Sequence, residues 1–146
     1  MRLDECMTKG VECTRPSATL EEAARKMRDL DVGTLPVCGE GDRLVGIVTD
    51  RDITVRAVAA GHNPATATVQ QAMTQELVYC FDDQDVGEAA RLMEDKQLRR
   101  LVVLDRGKNL VGIVSLGDLA VETANERLAG EVLQRVSEPV HPKHQV

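Results

Sequence analysis

Aromatic side chains are almost missing: there is no tryptophan, and Tyr79 and Phe81 are the only rings of that class in 146 residues. A core must therefore be built from Val, Leu, Ile, Ala and Met, and no ring platform exists on which unpaired bases could stack, which argues against the usual modes of single-strand and RNA binding. Basic residues are in deficit as well, 18 Lys and Arg against 24 Asp and Glu, for a formal charge of -6. A partner with a phosphate backbone needs the opposite balance, so nucleic acid is not expected. Long apolar runs are lacking: Leu44 to Val48 and Leu110 to Val114 are each broken by a glycine and fall far short of the roughly 20 residues of a membrane-spanning helix. The opening residues, Met1-Arg2-Leu3-Asp4-Glu5, carry acids where a secretory leader has a basic and then an apolar segment, so a cytoplasmic protein is expected. Cys6, Cys13, Cys38 and Cys80 show no Cys-x-x-Cys spacing and read as small buried apolar residues. A thiol- or zinc-dependent switch is the weaker alternative, and His62, His141 and His144 are too scattered to suggest a metal centre. With neither a Gly-x-Ser-x-Gly elbow nor a phosphate loop ending in Gly-Lys-Ser/Thr, no enzyme is expected.

What is present is a repeat. Sliding the chain by 66 places lays Met7 to Ile53 on Met73 to Leu119 without a gap, with roughly a third of positions identical. Met7-Thr8 falls on Met73-Thr74, Glu22-Ala23-Ala24-Arg25 on Glu88-Ala89-Ala90-Arg91, and Leu44-Val45-Gly46-Ile47-Val48 on Leu110-Val111-Gly112-Ile113-Val114. Asp52 falls on Asp118.

Each copy reads as strand, helix, strand, strand, helix. Val11 to Cys13 and Leu77 to Tyr79 are the first strands. A helix then starts at Thr19 or Asp85, with Glu22 or Glu88 three places on as a capping-box acid. Its buried stripe is Leu20, Ala23, Ala24, Met27 and Leu30, repeated by Val86, Ala89, Ala90 and Met93. Leu35 to Cys38 and Leu44 to Val48 should pair as a hairpin, as should Leu101 to Leu104 and Leu110 to Val114. Second helices start near Thr49, running to about Ala60, and near Ser115. One copy is too small to bury both faces of its sheet, so two copies should pack as one body.

A duplicated unit in which Pro-Val or Val-Val enters a hairpin, followed by Leu-Val-Gly-Ile-Val-Thr/Ser-x-x-Asp-Ile/Leu, resembles the cystathionine-β-synthase (CBS) domain, paired as in a Bateman module. The resemblance covers Arg2 to Glu126. It implies a mixed α/β fold of two β-α-β-β-α repeats, 1–66 and 67–136, packed sheet to sheet around a pseudo-two-fold axis; 137–146, with Pro139, Pro142 and two histidines, reads as a flexible tail. It also implies a non-catalytic regulatory module that senses AMP, ADP, ATP or a related adenosyl ligand such as NAD or S-adenosylmethionine. By that resemblance Asp52 and Asp118 hold the ribose hydroxyls, while Thr49, Ser115, Arg51, Arg99 and Arg100 serve the phosphates. Glu12, Val32, Gly33, Ile47, Val78, Leu98 and Ile113 line the adenine pockets, each cleft being completed from the partner repeat. The residues themselves permit this chemistry: a hydroxyl at a helix start can join a phosphate contact, and a carboxylate one turn on can accept from a vicinal diol. Thr49-x-x-Asp52 and Ser115-x-x-Asp118 are equally ordinary helix caps. Arg99 and Arg100 could equally be solvated charges. Because Arg51 is matched by Gly117, and Arg99-Arg100 by Gly33-Thr34, the two clefts should not be equivalent.

Apolar groups on both flanks of Ile53 to Ala60, and the four-residue steps Leu128, Val132 and Val136, leave surface that a homodimer through the second helices would cover. The effector protein cannot be named from sequence, and the rival reading is a scaffold of the same fold that binds no nucleotide.

Overall fold

The computed structural model describes residues 1–75 and 77–139. The chain divides into two units, Glu12–Leu77 and a second made of Met1–Val11 with the chain from Val78 onward.

In the first unit, helix α1 (Leu20–Leu30) is opened by the expected capping box: the Thr19 hydroxyl accepts from Glu22 N, and the Glu22 carboxylate accepts from Thr19 N. Strands β2 (Thr34–Cys38) and β3 (Leu44–Thr49) form the expected antiparallel hairpin. Helix α2 (Asp50–Asp52) continues as π-helical turns over Ile53–Val58, and α3 (Val69–Ala72) closes the unit. Leu20, Ala23, Met27, Leu35, Val37, Val48, Ile53 and Val69 make its core.

The second unit places β1 (Thr8–Lys9), β6 (Leu110–Ser115), β5 (Arg100–Leu104) and β4 (Tyr79–Phe81) side by side in that order. It carries α4 (Val86–Lys96), α5 (Leu116–Glu122) and α6 (Glu126–Ser137). Leu3, Ala89, Ala90, Met93, Leu101, Val103, Val114, Leu119 and Val132 belong to its core.

The first strands correct the sequence reading. Val11 to Cys13 is not a strand. Instead Thr8 pairs with Ile113 of β6, and Thr14 makes a single parallel bridge to Val37 of β2. The same pairs recur 66 residues on: Thr74 bridges Ile47 of β3, and Cys80 of β4 pairs in parallel with Val103 of β5. The expected strand at Leu77 to Tyr79 thus sits two residues later. Each repeat opens with a short segment that crosses the Leu-Val-Gly-Ile-Val strand of the other repeat. A 3-10 turn at Leu3–Glu5 and α3 precede these segments at equivalent positions. Gly46 and Gly112 are the residues crossed: a Cβ at Gly46 would lie 2.7 Å from Thr74 O, and one at Gly112 would lie 2.7 Å from both Thr8 O and Met7 Sδ.

Three helix details also differ. Asp85 does cap α4, but its carboxylate accepts from Gly87 N while Glu88 accepts from the Gln84 amide, so there is no capping box with Glu88. Ala24 and Leu30 are exposed rather than part of the buried stripe, whereas Ala90, the counterpart of Ala24, is buried. The difference follows from α6, which packs on α4 and has no equivalent in the first unit. The second terminal helix is not continuous: α5 stops at Glu122, and Asn125 caps α6. Val132 is fully buried, and Leu128 and Val136 pack against the same core, so this stripe is spent within the chain rather than left for a partner. Ser137 closes α6, and the Gln97 amide donates to Glu138 O at 2.9 Å; the rest of the expected tail, 140–146, lies outside the described residues.

Candidate functional site

Along β3 burial alternates, with Leu44, Gly46 and Val48 facing the core and Val45, Ile47 and Thr49 on the opposite face. This period-two alternation puts Ile47 and Thr49, two of the expected site residues, on one side of the sheet. In β6, Ile113 and Ser115 likewise share the face away from buried Val114.

At the end of each strand the cap and the candidate site are the same residues. Thr49 Oγ1 accepts from Asp52 N at 3.0 Å, and Asp52 Oδ2 accepts from Thr49 N at 3.0 Å. Ser115 Oγ accepts from Asp118 N at 3.0 Å, and Asp118 Oδ2 accepts from Ser115 N at 2.8 Å. Each carboxylate therefore commits one oxygen to the helix start. Asp52 Oδ1 lies 3.8 Å from Arg56 Nε, and its side chain keeps 16% of its surface. At the position equivalent to Arg56 the second repeat has Glu122.

The backbone approach is also repeated. Asp50 N donates to Gly33 O and Leu116 N donates to Arg99 O, both at 2.9 Å, which fixes the start of each hairpin beside its terminal helix. Thr34 stands opposite Thr49 in register, and Arg100 opposite Ser115. Around the first cap the unit holds Gly33, exposed Arg51 and Asp50, whose Oδ2 is 2.9 Å from where a Cβ at Gly33 would be. Around the second it opens a hollow of about 530 Å³ lined by Arg99, Arg100, Ser115, Leu116 and Gly117, with Ala129, Gly130 and Leu133 of α6. Arg99 Nη2 reaches toward Ser137 Oγ at 3.5 Å.

The remaining expected residues divide between the units. Glu12 and Val32 are exposed, Val32 keeping 43% of its surface, in the unit of Thr49. Val78 and Leu98 are half-buried against the core in the unit of Ser115. Sequence reasoning passed over Asp50, Arg56 and the α6 wall of the hollow. A position-by-position comparison of the two copies would have shown Asp50 against Leu116, but α6 has no copy to compare with.

Cys6, Cys38 and Cys80 are buried, while Cys13 is half-buried. Burial, with the Cys13 thiol beside it, pushes the Cys38 thiol up to about 12, and burial pushes Cys80 up to about 11. A thiol raised above its ordinary 9.0 stabilises the fold fully below pH 9, and that contribution fades as pH rises through the folded value. Urea midpoints should therefore decline from pH 9 toward 11 and decline less in a Cys38→Ala, Cys80→Ala variant. With a thiol reagent at pH 8, half-buried Cys13 should react first; rapid labelling of Cys38 and Cys80 in the native protein would contradict this burial. Among the described residues no three His, Cys, Asp or Glu side chains converge to hold a metal, and no helix is long and apolar enough to cross a membrane.

Comparison with known proteins agrees with this duplicated architecture. The CBS domain family matches residues 3–58 and again 69–124. Hypoxic response protein 1 of Mycobacterium tuberculosis is 40% identical over 116 residues, 80% of each chain. A crystal structure of Hypoxic Response Protein I with two coordinated zinc ions is 39% identical, with a TM-score of 0.74 over 82% of this chain and 97% of that one. The crystal structure of CBSX2 in complex with AMP has a TM-score of 0.71 over 84% of this chain and 96% of that one; at 24% identity it shares the fold alone. Two matched domains covering most of the sequence, on a fold whose halves repeat pair by pair, place the chain in the CBS-domain family as a tandem pair.

Proposed function

We propose that this chain is a non-catalytic, cytoplasmic sensor of adenosine nucleotides, with Asp52 and Asp118 receiving the ribose hydroxyls and Thr49 and Ser115 beside the phosphates. The observation that carries the reading is the duplicated hydroxyl–carboxylate box. In each copy one carboxylate oxygen is tied to the helix start and the group stays partly exposed beside a strand face bearing Ile47 or Ile113. A second oxygen held in fixed orientation is a suitable acceptor for a vicinal diol. Arg99 and Arg100 supply cations for the phosphates in one unit, and Arg51 in the other. Glu12, Val32, Gly33, Val78 and Leu98 are assigned to the adenine.

Ligand binding is read by thermal melting of the full chain with AMP, ADP, ATP, NAD and S-adenosylmethionine. At 100 times its dissociation constant a ligand adds about 2.7 kcal/mol, a shift of several degrees for a domain of this size. The Asp52→Ala, Asp118→Ala double variant should lose the response. An unchanged response in that variant removes the ribose assignment, and the absence of any response in the native protein favours the rival scaffold reading.

Signalling requires two arrangements with different ligand affinity. We assign that role to a homodimer through the second helices, where Val55, Val58 and Val121 keep 51%, 58% and 76% of their surface. Light scattering should give twice the chain mass, and a monomer at all concentrations would overturn the dimer.

A further inference from the structure

The two copies are most alike in the strand that leads to each cap and least alike around the cap itself. Four positions surround each cap through the same backbone contacts. In the first unit they are Gly33, Thr34, Asp50 and Arg51, one acid and one base. In the second they are Arg99, Arg100, Leu116 and Gly117, two bases and no acid. The exchange at 50 and 116 bears directly on a ligand, because both residues donate their N–H to the residue that starts the hairpin. Asp50 folds its carboxylate over Gly33, where the other copy has Arg99. Gly117 and the small residues Ala129 and Gly130 help line the hollow beside Arg99 and Arg100, whose volume is within the size range of small-ligand sites. Arg56, whose Nε lies 3.8 Å from Asp52 Oδ1, is matched by Glu122 in the other copy; neither Glu122 nor Asp118 lines the hollow, which adjoins the second cap at Ser115.

We infer that the two sites sort adenosine ligands by charge: the Ser115–Asp118 site takes a polyphosphate nucleotide, and the Thr49–Asp52 site takes an adenosyl ligand with one phosphate or none. The inference rests on the nucleotide reading above and adds the residues that discriminate, Arg100 and the hollow on one side and Asp50 on the other. A chain of phosphates carries its added negative charge away from the ribose, so it is attracted by the paired guanidinium groups and repelled by a carboxylate at the equivalent place. AMP, with less charge to place there, should discriminate far less.

Calorimetric titration of the full chain with AMP and with ATP, in chelator to exclude metal–nucleotide complexes, tests this in the Asp52→Ala and Asp118→Ala backgrounds. ATP should bind about tenfold more tightly to the variant that keeps Asp118 than to the one that keeps Asp52. Adding Arg100→Thr should weaken ATP at the Asp118 site far more than AMP, and adding Asp50→Leu should strengthen ATP at the Asp52 site. Both substitutions are at exposed residues, and circular dichroism confirms that the variants fold. Equal ATP affinities at the two sites, or variants that move AMP and ATP alike, overturn the sorting and leave nucleotide sensing standing. Failure of both nucleotides to bind the native chain overturns both.

Discussion

Gly46→Ala and Gly112→Ala should each lower stability sharply, although alanine is the smallest possible addition. The new methyl group would stand 2.7 Å from the Thr74 carbonyl oxygen in one case and from the Thr8 carbonyl oxygen in the other. Backbone cannot rotate aside as a side-chain tip can, so the crossing segment must move. That movement strains the pairs between Ile47 and Thr74, at 2.8 and 3.0 Å, or between Thr8 and Ile113. Overpacking of this kind costs about 1–3 kcal/mol, and in a chain of about 150 residues each kcal/mol lowers the melting temperature by roughly 2–4 °C. Gly130→Ala is the control of opposite sign. Nothing lies within 4 Å of a Cβ there, and relief of a mid-helix glycine should stabilise by about 0.5–1 kcal/mol. Thermal melts of the three variants decide the matter; a neutral Gly46→Ala would show that the crossing segments are not held closely.

Leu3→Ala should be nearly as damaging as a change in the middle of the chain. Leu3 is fully buried in the core with Met93, Leu101 and Leu119, where truncation of leucine costs about 2–5 kcal/mol. Leu3 N donates to Gln84 O and Asp4 N donates to Asp82 O, so the segment is fixed to residues some eighty places along the chain. Removing 1–11 should raise amide exchange in α4, β5 and β6 before it affects α1, which follows the deletion directly in sequence. Loss of protection in α1 first would contradict the assignment of this segment to the second unit.

Much of this fold is legible in the sequence because the repeat supplies its own alignment. Both hairpins, the Thr19 capping box and the two hydroxyl–aspartate boxes stand where spacing places them, since each depends on contacts within a few residues. The opening strands were not legible, because Val11 to Cys13 has a short β-rich appearance while the residues that pair, Thr8 and Thr14, are chosen by partners in β6 and β2. The burial of Ala90 was legible from the stripe, but the exposure of Ala24 was hidden, since identical residues acquire different surroundings once α6 covers only one of the two helices. At the candidate site the boxes were readable, but Asp50 was passed over because its contact with Gly33 is tertiary. The glycines of the Leu-Val-Gly-Ile-Val motif were visible as a pattern without a reason; the reason is the carbonyl that passes over each of them.

The exchanged opening segments set an order of events on the ribosome. Residues 12–77 are contiguous, so that unit can close as soon as its last residues emerge. The first eleven residues are translated before any of it, yet their partner strand β6 ends at Ser115. At about 5–20 residues per second they wait roughly 5–20 s as an unpaired leader. In a nascent chain, Thr8-Lys9 is therefore open to capture by a neighbouring polypeptide for longer than any other strand here.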